Sequence, residues 1–399
     1  MSLFPNYQRD SLTFVKGRGS YLYDQSGKKY LDFGSGIGVT NLGHAHPKLV
    51  QSLQQQAASL WHTSNLFTQP AQEEVANLLT QASQLDAVFF CNSGAEANEA
   101  AFKLARKWGH EVKGVTEPEV ITFSRSFHGR TIATLTATGQ EKVKKGFSPL
   151  PAGFVIAPEL SLYAVEKVQS PQTVAVCLEL VQGEGGVYPV PATFIGQLVA
   201  WCQANQILLI IDEVQTGMGR TGEWFAFQHY GVKPDIITLA KGMGNGFPIG
   251  AMLATSELKD LFSPGSHGTT FGGNPLAMAV AKGVCELLQE PSFLEQVKKK
   301  GQMLLAHLAQ SLHPLQIVRE VRGLGFMIGI ELSHPATDAI SALRCKGLIA
   351  LPAGDRVIRL LPPLIVTIDE LKKAVDLIYQ TLSVEEEMGE NDAKLEISE

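Results

Sequence analysis

The 399-residue chain carries 33 lysines and arginines against 39 aspartates and glutamates, which gives a formal net charge of −6 at pH 7. This balance argues against a nucleic-acid partner, because a nucleic-acid-binding domain is usually basic. With 45% hydrophobic and 18% charged residues, the composition is that of a folded globular protein and excludes a disordered or collagen-like chain. At ~100–200 residues per domain, we expect one large α/β domain and a smaller second one.

Nothing in the sequence indicates a membrane partner, secretion or a metal site. No apolar stretch approaches the ~18 residues of a membrane span, and the N-terminal segment lacks the apolar centre of a signal peptide. The five cysteines are an odd number without C-x-x-C spacing, which argues against a disulfide framework and a zinc site. His44 and His46 have no further ligand at a suitable spacing, so a structural turn explains them better. We therefore expect a cytoplasmic protein with reduced thiols and no metal.

The N-terminal region predicts a hairpin followed by a helix. Residues 21–33 contain two aromatic-rich runs joined by a polar turn at Ser26 and Gly27. Further along, an apolar stripe at helical spacing predicts a helix. This stripe consists of Val50, Leu53, Ala57 and Leu60.

The middle of the chain predicts a mostly parallel sheet covered by helices. Short apolar runs alternate there with longer helical patterns, as in α/β domains. The run ILLII at 207–211 fits a strand buried on both faces, since a strand with one solvated face would alternate. The predicted strands are 87–90, 120–123, 173–180, 207–211, 236–239 and 250–254.

The C-terminal third predicts a small domain and a tail. Apolar runs at 323–332, 348–353 and 357–364 predict its strands, with a boundary near 275–290. The segment after Val384 is acidic and poor in apolar residues, and we expect it to be frayed or disordered. The predicted division is 1–45 as the N-terminal part of the small domain, 46–280 as the large domain, 281–384 as the C-terminal part of the small domain and 385–399 as the tail.

The segment NSGAEANEAAFKLARKW at 92–108 predicts a helix that begins at the carboxyl edge of the sheet. Ser93 and Glu96 have the spacing of a capping box, and an apolar helical face follows. Free backbone N–H groups at such a helix start bind anions and phosphates. The alternative is an ordinary helix start that binds nothing.

Two other predicted strands end in charged residues. Asp212 and Glu213 close a buried strand, where carboxylates are costly unless a cation or a hydrogen-bond donor meets them. Lys241 follows another apolar strand and opens a glycine-rich turn, where a desolvated lysine can form a Schiff base. A solvated acid and a lysine that extends to the surface are the alternatives at these positions.

The three strand ends together favour one cofactor. A phosphate-binding turn, a carboxylate and a lysine match the needs of pyridoxal phosphate, which are anchorage of its phosphate, a partner for its pyridinium nitrogen and a partner for its aldehyde. No other cofactor explains all three.

Six segments resemble blocks of the class III pyridoxal-phosphate aminotransferases and occur in that family's order. They are NSGAEANEAAFKLAR, SFHGRT, LELVQGEGG, IIDEVQTGMGRTG, LAKGMGNGFPIGA and GTTFGGNPLA. The resemblance implies a fold-type I transferase with a large α/β domain, a small α+β domain built from the N- and C-terminal segments, and a homodimer with shared active sites. The segments DFGSGIGVTNLGHAHP and LWHTSNLF are most similar to the acetylornithine aminotransferase branch.

The resemblance also implies the cofactor contacts. Lys241 matches the lysine that holds the cofactor and moves the proton, and Asp212 matches the aspartate under the pyridine nitrogen. Gln215 matches a contact of the phenolic oxygen, and Phe127 matches a ring stacked on the cofactor. The remaining contacts are Ser93, Gly94 and Ala95 at the phosphate, and Thr270, which reaches the phosphate from the neighbouring subunit.

The implied substrate contacts centre on two arginines. Arg130 matches the arginine that receives the carboxylate of the amino donor, a task that suits a bidentate side chain. Arg359 matches an arginine that binds the α-carboxylate of glutamate or 2-oxoglutarate, and Glu184 matches an acid that pairs with it when the other substrate is present. The further predicted substrate-binding residues are Thr269, Ile37 and Tyr21.

The implied reaction transfers the δ-amino group of N2-acetyl-L-ornithine to 2-oxoglutarate, giving N-acetyl-L-glutamate 5-semialdehyde and L-glutamate in arginine biosynthesis. Ile37 favours an acylated donor, since burying an unpaired ammonium against an aliphatic side chain is costly, whereas Tyr21 aligns with a tyrosine of the ornithine branch. Ornithine, 4-aminobutyrate, succinylornithine and succinyl-diaminopimelate therefore stay open as donors. The alternative from another class is a non-catalytic relative that acts as a binding protein.

Overall fold

The computed structural model describes the backbone of residues 2–396 and the side chains of residues 2–388. The strands are β1 (Phe14–Arg18), β2 (Tyr21–Asp24), β3 (Lys29–Asp32), β4 (Ala87–Cys91), β5 (Glu119–Phe123), β6 (Phe154–Ala157), β7 (Thr173–Leu178), β8 (Val181–Gln182), β9 (Tyr188–Pro189), β10 (Leu208–Asp212), β11 (Ile236–Leu239), β12 (Gly250–Ala254), β13 (Val318–Leu324), β14 (Met327–Leu332), β15 (Leu348–Ile349), β16 (Leu351–Ala353) and β17 (Val357–Leu360). The helices are α1 (Ser35–Gly38), α2 (Pro47–Ala57), α3 (Pro70–Ser83), α4 (Gly94–Glu111), α5 (Ile132–Ala137), α6 (Leu162–Val168), α7 (Ala192–Ala204), α8 (Ser256–Lys259), α9 (Pro275–Leu288), α10 (Phe293–Leu312), α11 (Thr337–Cys345) and α12 (Ile368–Glu396).

A seven-stranded sheet forms the centre of the molecule, in the order β4-β12-β11-β10-β7-β5-β6. Strand β12 runs antiparallel to β4 and β11, and the other neighbouring pairs are parallel. The α/β class and the six predicted strands of this sheet are confirmed. The edge strand β6, only four residues long, was not predicted.

The central sheet is buried on both faces because its strands are apolar at successive positions. All five residues of β10 are buried. Leu209 and Ile211 share a hydrophobic cluster with Leu198 of α7, whereas Ile210 belongs to a cluster with Leu104 of α4. Helices therefore cover both faces, and the carboxyl edge is where a ligand can reach the strand ends.

Two four-stranded sheets contain the terminal segments of the chain. The sheet β1-β2-β3-β15 contains the predicted N-terminal hairpin and joins it to β15, which lies parallel to β3. The second sheet has the order β13-β14-β17-β16. A small α+β part built from both ends of the chain is thus confirmed, while its boundaries at residues 45, 280 and 384 stay predictions.

The run 323–332, predicted as one strand, lies across a hairpin turn between β13 and β14. Gly325 at this turn has a φ of +58°. A Cβ at Gly325 would lie 2.5 Å from backbone atoms of Thr221. The chain reverses here because glycine tolerates this conformation and the close approach of a neighbouring backbone.

Helix α2 buries a different side from the one that its sequence predicts. Leu49 is buried, whereas Val50 and Leu60 are exposed. Leu49 packs against Gly283 of α9, where a Cβ would lie 2.8 Å from the Leu49 Cδ2 atom. The small residue on the partner helix, which the stripe does not reveal, selects the buried side.

The acidic tail is the other difference. We expected a frayed or disordered segment at 385–399, but α12 continues to Glu396, and 397–399 lie outside the described residues. Glu385 accepts a hydrogen bond from His334 Nε2 at 2.9 Å, and Glu386 accepts one from the Ile317 N–H at 3.1 Å. These acids thus hold the helix against the preceding fold. Within the described part of the chain, the helices are too short or too polar to cross a membrane.

Candidate active site

A cavity of about 390 Å³ lies at the carboxyl edge of the central sheet. It lies where β4, β5, β7, β10 and β11 end, so residues far apart in sequence meet there. The predicted site residues that line it are Ser93, Gly94, Ala95, Phe127, Arg130, Glu184, Asp212, Gln215 and Lys241.

Helix α4 begins at the cavity with Ser93 as its N-cap, and the predicted capping box is only half formed because the Glu96 side chain binds the N–H of Asn92 and not that of Ser93. The Ser93 hydroxyl accepts a hydrogen bond from the Glu96 N–H at 3.2 Å, and Glu96 Oε2 accepts one from the Asn92 N–H at 2.8 Å. Gly94 and Ala95 occupy the first turn, where no helical carbonyl is available to the N–H groups. Together with the positive end of the helix dipole, these N–H groups suit an anion such as phosphate.

Asp212 ends β10 as a buried carboxylate with three hydrogen-bond donors. Its Oδ2 atom accepts from Asn98 Nδ2 and His128 Nδ1, both at 2.8 Å, and its Oδ1 atom accepts from the Val214 N–H at 3.0 Å. These donors compensate the loss of water that burial imposes on a carboxylate.

Lys241 follows β11 in a strained backbone conformation, with a φ of +43°. Its side chain lies in the same cavity as Asp212. Burial lowers the pKa of the Lys241 amine below its ordinary value. A larger fraction of this amine is therefore unprotonated near neutral pH, which is the form that attacks an aldehyde.

Arg359 forms an ion pair with Glu184, one of the residues that line the cavity. Arg359 Nη1 lies 2.5 Å from Glu184 Oε1 and 3.3 Å from Gln215 Oε1, and the Arg359 side chain is only 3% exposed. Burial acts to raise the pKa of Glu184, but the Arg359 guanidinium outweighs it and holds that pKa below its usual range. The site thus contains a buried guanidinium whose present partner is an ionised side chain.

A second buried acid, Glu179, directly follows β7. Its Oε2 atom accepts a hydrogen bond from the Phe127 N–H at 2.9 Å, and burial raises the pKa of Glu179 to about 7. Phe127 lies beneath Arg130, with the guanidinium carbon 5.5 Å from the ring centroid. Glu179 therefore fixes the backbone of an aromatic residue that lines the cavity.

Five predicted site residues are not among those that line this cavity: Arg359, which pairs with Glu184, and Thr269, Thr270, Ile37 and Tyr21. Thr269 borders it, because its hydroxyl accepts a hydrogen bond from Asn92 Nδ2 at 3.2 Å. Thr270 is exposed, and Ile37 is 46% exposed in a left-handed conformation with a φ of +70°. For Tyr21 the structure differs from the prediction. Tyr21 lines a separate surface depression with Lys29, whose Nζ lies 3.4 Å from the ring centroid.

Tyr21 is placed there by strand geometry. It lies in β2 opposite Leu31 of β3, and burial raises its pKa to about 12, with a nearby Glu370 carboxylate adding to the shift. The Tyr21 hydroxyl is thus held at the terminal sheet and does not reach the substrate cavity. A comparison of short motifs does not show how β2 pairs with β3, and so does not show where the Tyr21 side chain lies.

Sequence reasoning missed the residues that support Asp212. His128 lies in the quoted SFHGRT block, and Asn98 lies on α4 among buried alanines. Thr238 donates a hydrogen bond to Asn98 Oδ1 at 2.8 Å and so orients the amide whose nitrogen binds Asp212. A polar residue within an apolar helical stripe was the available signal for Asn98. For His128 the signal was its position between Phe127 and Arg130.

The two histidines of GHAHP agree with a structural interpretation. His44 Nε2 lies 2.8 Å from Asp32 Oδ2 and its backbone bridges to Gly19. Among the described residues, no cluster of three or more His, Cys, Asp or Glu side chains is arranged to hold a metal ion.

The fold and this arrangement agree with the comparison to known proteins. Residues 5–382 match the family of class-III aminotransferases. The acetylornithine aminotransferase of Bacillus cereus is 52% identical over 380 residues, which cover 95% of this chain and 97% of that protein. Among solved structures, the acetylornithine aminotransferase of Elizabethkingia anophelis is 34% identical with a TM-score of 0.85, and the alignment covers 95% of each chain. The ornithine aminotransferase of Toxoplasma gondii is 32% identical with a TM-score of 0.93 over 97% of this chain and 93% of that one, and that structure contains PLP at partial occupancy.

This chain therefore belongs to the class-III aminotransferases, with the fold-type I architecture that the sequence implied. Enzymes of this class use pyridoxal phosphate. The residues of the cavity fit that cofactor, because the first turn of α4 suits its phosphate, the buried carboxylate of Asp212 suits a protonated ring nitrogen and the amine of Lys241 suits its aldehyde.

Proposed function

We propose that this protein transfers the δ-amino group of N2-acetyl-L-ornithine to 2-oxoglutarate, with pyridoxal phosphate as cofactor. The products are N-acetyl-L-glutamate 5-semialdehyde and L-glutamate, and the reaction serves arginine biosynthesis in the cytoplasm. The observation that carries the proposal is the ion pair between the buried Arg359 and Glu184, which lines the same cavity as Lys241. With Glu184 in place, the pair suits a substrate with one carboxylate. With Glu184 moved away, Arg359 can bind the second carboxylate of the other substrate.

When bound, pyridoxal phosphate supplies an electron-withdrawing ring that stores the amino group between the two half-reactions. Lys241 would hold the cofactor through Nζ, and the same nitrogen would carry the proton that the transfer of the amino group requires. Its lowered pKa suits this role near neutral pH. Asp212 keeps a proton on the ring nitrogen, and Asn98 and His128 hold the Asp212 carboxylate in place.

Substrate orientation depends on the two arginines. Arg130 binds the α-carboxylate of the acylated donor, whose δ-amino group then reaches the reactive centre while Glu184 neutralises Arg359. Glutamate and 2-oxoglutarate carry a second carboxylate, and Arg359 binds their α-carboxylate after Glu184 has moved away. Bidentate arginine contacts give both substrates a fixed orientation.

The finer choice of donor rests on the acetylornithine aminotransferases among the relatives, with identities near 50% over almost the full length. Ornithine remains the main competitor as a donor, because solved structures of ornithine aminotransferases are also similar. Ile37, the residue that suggested an acylated donor, lies outside the lining of the cavity in a single chain. Its role in donor selection is therefore part of the proposal.

We further propose a homodimer in which Thr270 of each subunit reaches the cofactor phosphate of the other. Thr270 is exposed, and its neighbour Phe271 is 60% exposed. Asn65 ties this loop to a segment with further exposed apolar side chains, through hydrogen bonds to the Thr269 and Gly272 carbonyls at 3.2 and 3.0 Å. Those side chains are Trp61, Leu66 and Phe67. An apolar surface of this kind favours subunit contact.

The test is spectroscopic. The purified protein is loaded with pyridoxal phosphate, and N2-acetylornithine, ornithine and 4-aminobutyrate are added separately without a keto acid. The proposal expects the cofactor absorption band to disappear fastest, and at the lowest concentration, with N2-acetylornithine, and it expects no such response from a Lys241→Ala variant. A faster response to another amine would replace the proposed donor. A protein that stays colourless after incubation with the cofactor would support the non-catalytic alternative.

A further inference from the structure

The loop that carries Glu184 is held by the small α+β part of the molecule. Residues 184–188, here called the glutamate turn, run from the connection after β8 into the first residue of β9. Arg322 of β13 reaches across to this turn. Its Nε and Nη2 atoms donate to the Gly186 carbonyl at 3.1 and 2.7 Å, and Nε also donates to the Val187 carbonyl at 3.2 Å.

Strand register places Arg322 and Arg359 in one row of the small sheet. Arg322 of β13 lies opposite Gly329 of β14, and Gly329 lies opposite Arg359 of β17. Directly opposite residues share a face of a sheet. The row therefore presents two guanidinium groups to the glutamate turn, one at the Glu184 carboxylate and one at the carbonyls of Gly186 and Val187.

Gly329 between the two arginines lets the turn approach the sheet. A Cβ at Gly329 would lie 3.0 Å from Val187 Cβ and 3.3 Å from the Gly186 oxygen, so a larger residue would push the turn away. Tyr188 closes the other end. The guanidinium carbons of Arg322 and Arg125 lie 3.8 and 4.6 Å from the centroid of its ring.

The glutamate turn needs an anchor because its backbone is strained. Val187 has a φ of +57°, a conformation that is rare for a β-branched residue. Such strain persists only where the surroundings over-determine it. Arg322 is itself fixed by Glu320 at 2.7 Å and Glu331 at 2.5 Å, so it forms a rigid support.

We propose that Arg322 is a positioning residue for Glu184. It holds the glutamate turn in its strained shape, so that the Glu184 side chain leaves Arg359 in one half-reaction and returns to it in the next without movement of the backbone. The inference rests on the proposed function, since only a two-substrate site needs Glu184 to alternate. It concerns donor preference and assigns Arg322 no contact with a reacting atom.

The kinetic test compares two half-reactions on the cofactor-loaded protein, one with N2-acetylornithine and one with glutamate, each without a keto acid. In Arg322→Met the Glu184–Arg359 pair loses its support, and Arg359 becomes more available to glutamate. We expect the ratio of specificity constants, acetylornithine over glutamate, to fall about tenfold, the effect of losing a hydrogen bond to a charged group. Arg322→Lys keeps the charge without the two-atom contact and should show a smaller fall. The matched control is Arg319→Met, an exposed arginine of the same strand, which should leave the ratio unchanged.

A second measurement is independent of activity. Hydrogen–deuterium exchange of the amides in 183–188 should become faster in Arg322→Met and stay unchanged in Arg319→Met, with or without cofactor. Unchanged exchange in folded Arg322→Met, or an equal loss in both half-reactions, would overturn the proposal. If Arg322→Met does not fold, Arg322→Lys carries both measurements. If the wild-type protein responds to a different ω-amine, the proposed donor is wrong, and the ratio of specificity constants is then measured with that amine over glutamate. Failure of the proposed donor is thus distinguishable from failure of the proposed role of Arg322.

Discussion

In the proposed mechanism the charge of Glu184 sets the preference between the two substrates, and Glu184→Gln removes that charge at nearly constant volume. If Arg359 binds the second carboxylate as proposed, that carboxylate must displace Glu184 from Arg359 in the wild-type protein. The Glu184 side chain is 31% exposed and the Arg359 side chain 3% exposed, with 2.5 Å between the paired atoms. Glutamate therefore competes with a short and largely desolvated ion pair.

The size of this competition follows from the geometry. Two unit charges ~4 Å apart interact by about 4 kcal/mol at the effective dielectric constant of ~20 that suits sites near a protein surface. Solvent access to Glu184 reduces this figure towards the ~1.5–3 kcal/mol of a hydrogen bond to a charged group. Since ~1.4 kcal/mol corresponds to a factor of ten, we expect glutamate to bind Glu184→Gln about ten- to a hundredfold more tightly.

The assay is a titration of the cofactor absorption band with glutamate and, separately, with N2-acetylornithine, in the absence of keto acid. Binding of acetylornithine should not improve, because its α-carboxylate is assigned to Arg130. Because the pKa of Glu184 lies below its usual range, the acid is ionised across neutral pH and the difference between the two proteins should persist there. The control is Glu223→Gln, which removes a surface partner of Lys298. Unchanged glutamate binding, or equal tightening of both amines, would refute the reasoning.

Three further predictions concern residues of the same sheet edge. Lys241→Ala should abolish covalent retention of the cofactor and lower turnover by about a hundredfold or more, the contribution of a positioned proton-transfer group; retained steady turnover would contradict the mechanism. Asp212→Asn should lower kcat by about a hundredfold, as the loss of a preorganised charge does, and a loss below about tenfold in a steady-state assay would exclude the assigned role. Burial raises the pKa of Glu213 from 4.5 to about 7, so the folded state binds this proton more tightly and stability falls as pH rises between these values. Glu213→Gln removes the titration, and its free energy of unfolding relative to wild type, measured with urea, should increase by roughly 3 kcal/mol between pH 4.5 and 7; a pH-independent difference would contradict this.

The central sheet and its charged strand ends were predictable because both signals are local. Continuous apolar runs identify doubly buried strands, and a charged residue directly after such a run must lie at the strand end. Asp212 and Lys241 therefore lie at the same sheet edge because their strands are parallel neighbours. The N-cap of Ser93 was equally local, since it depends on two residues three positions apart.

The differences arose where a distant part of the chain decides the outcome. Leu49 is buried in place of Val50 because Gly283, more than 200 residues away, leaves room for it. Tyr21 lies outside the cavity because the register of β2 and β3 directs it to another surface. The start of the acidic tail is held against the fold because His334 and the Ile317 N–H supply partners for Glu385 and Glu386. Neither periodicity nor a short motif contains such long-range contacts.

Three buried acids at one sheet edge show that the role of a carboxyl group depends more on its hydrogen-bond partners than on its burial. Burial alone favours the neutral form of a carboxyl group, and it raises the pKa of Glu179 and of Glu213 to about 7. Glu179 and Glu213 accept hydrogen bonds mainly from backbone N–H groups and Thr216, so they fix loops. Asp212 instead receives two side-chain donors and a backbone N–H, while it faces the same cavity as Lys241. A carboxylate with that many donors at a ligand cavity stays ionised and is suited to pair with a cation, such as a protonated ring nitrogen. Replacement of Asp212 should therefore affect turnover, whereas replacement of Glu213 should affect stability.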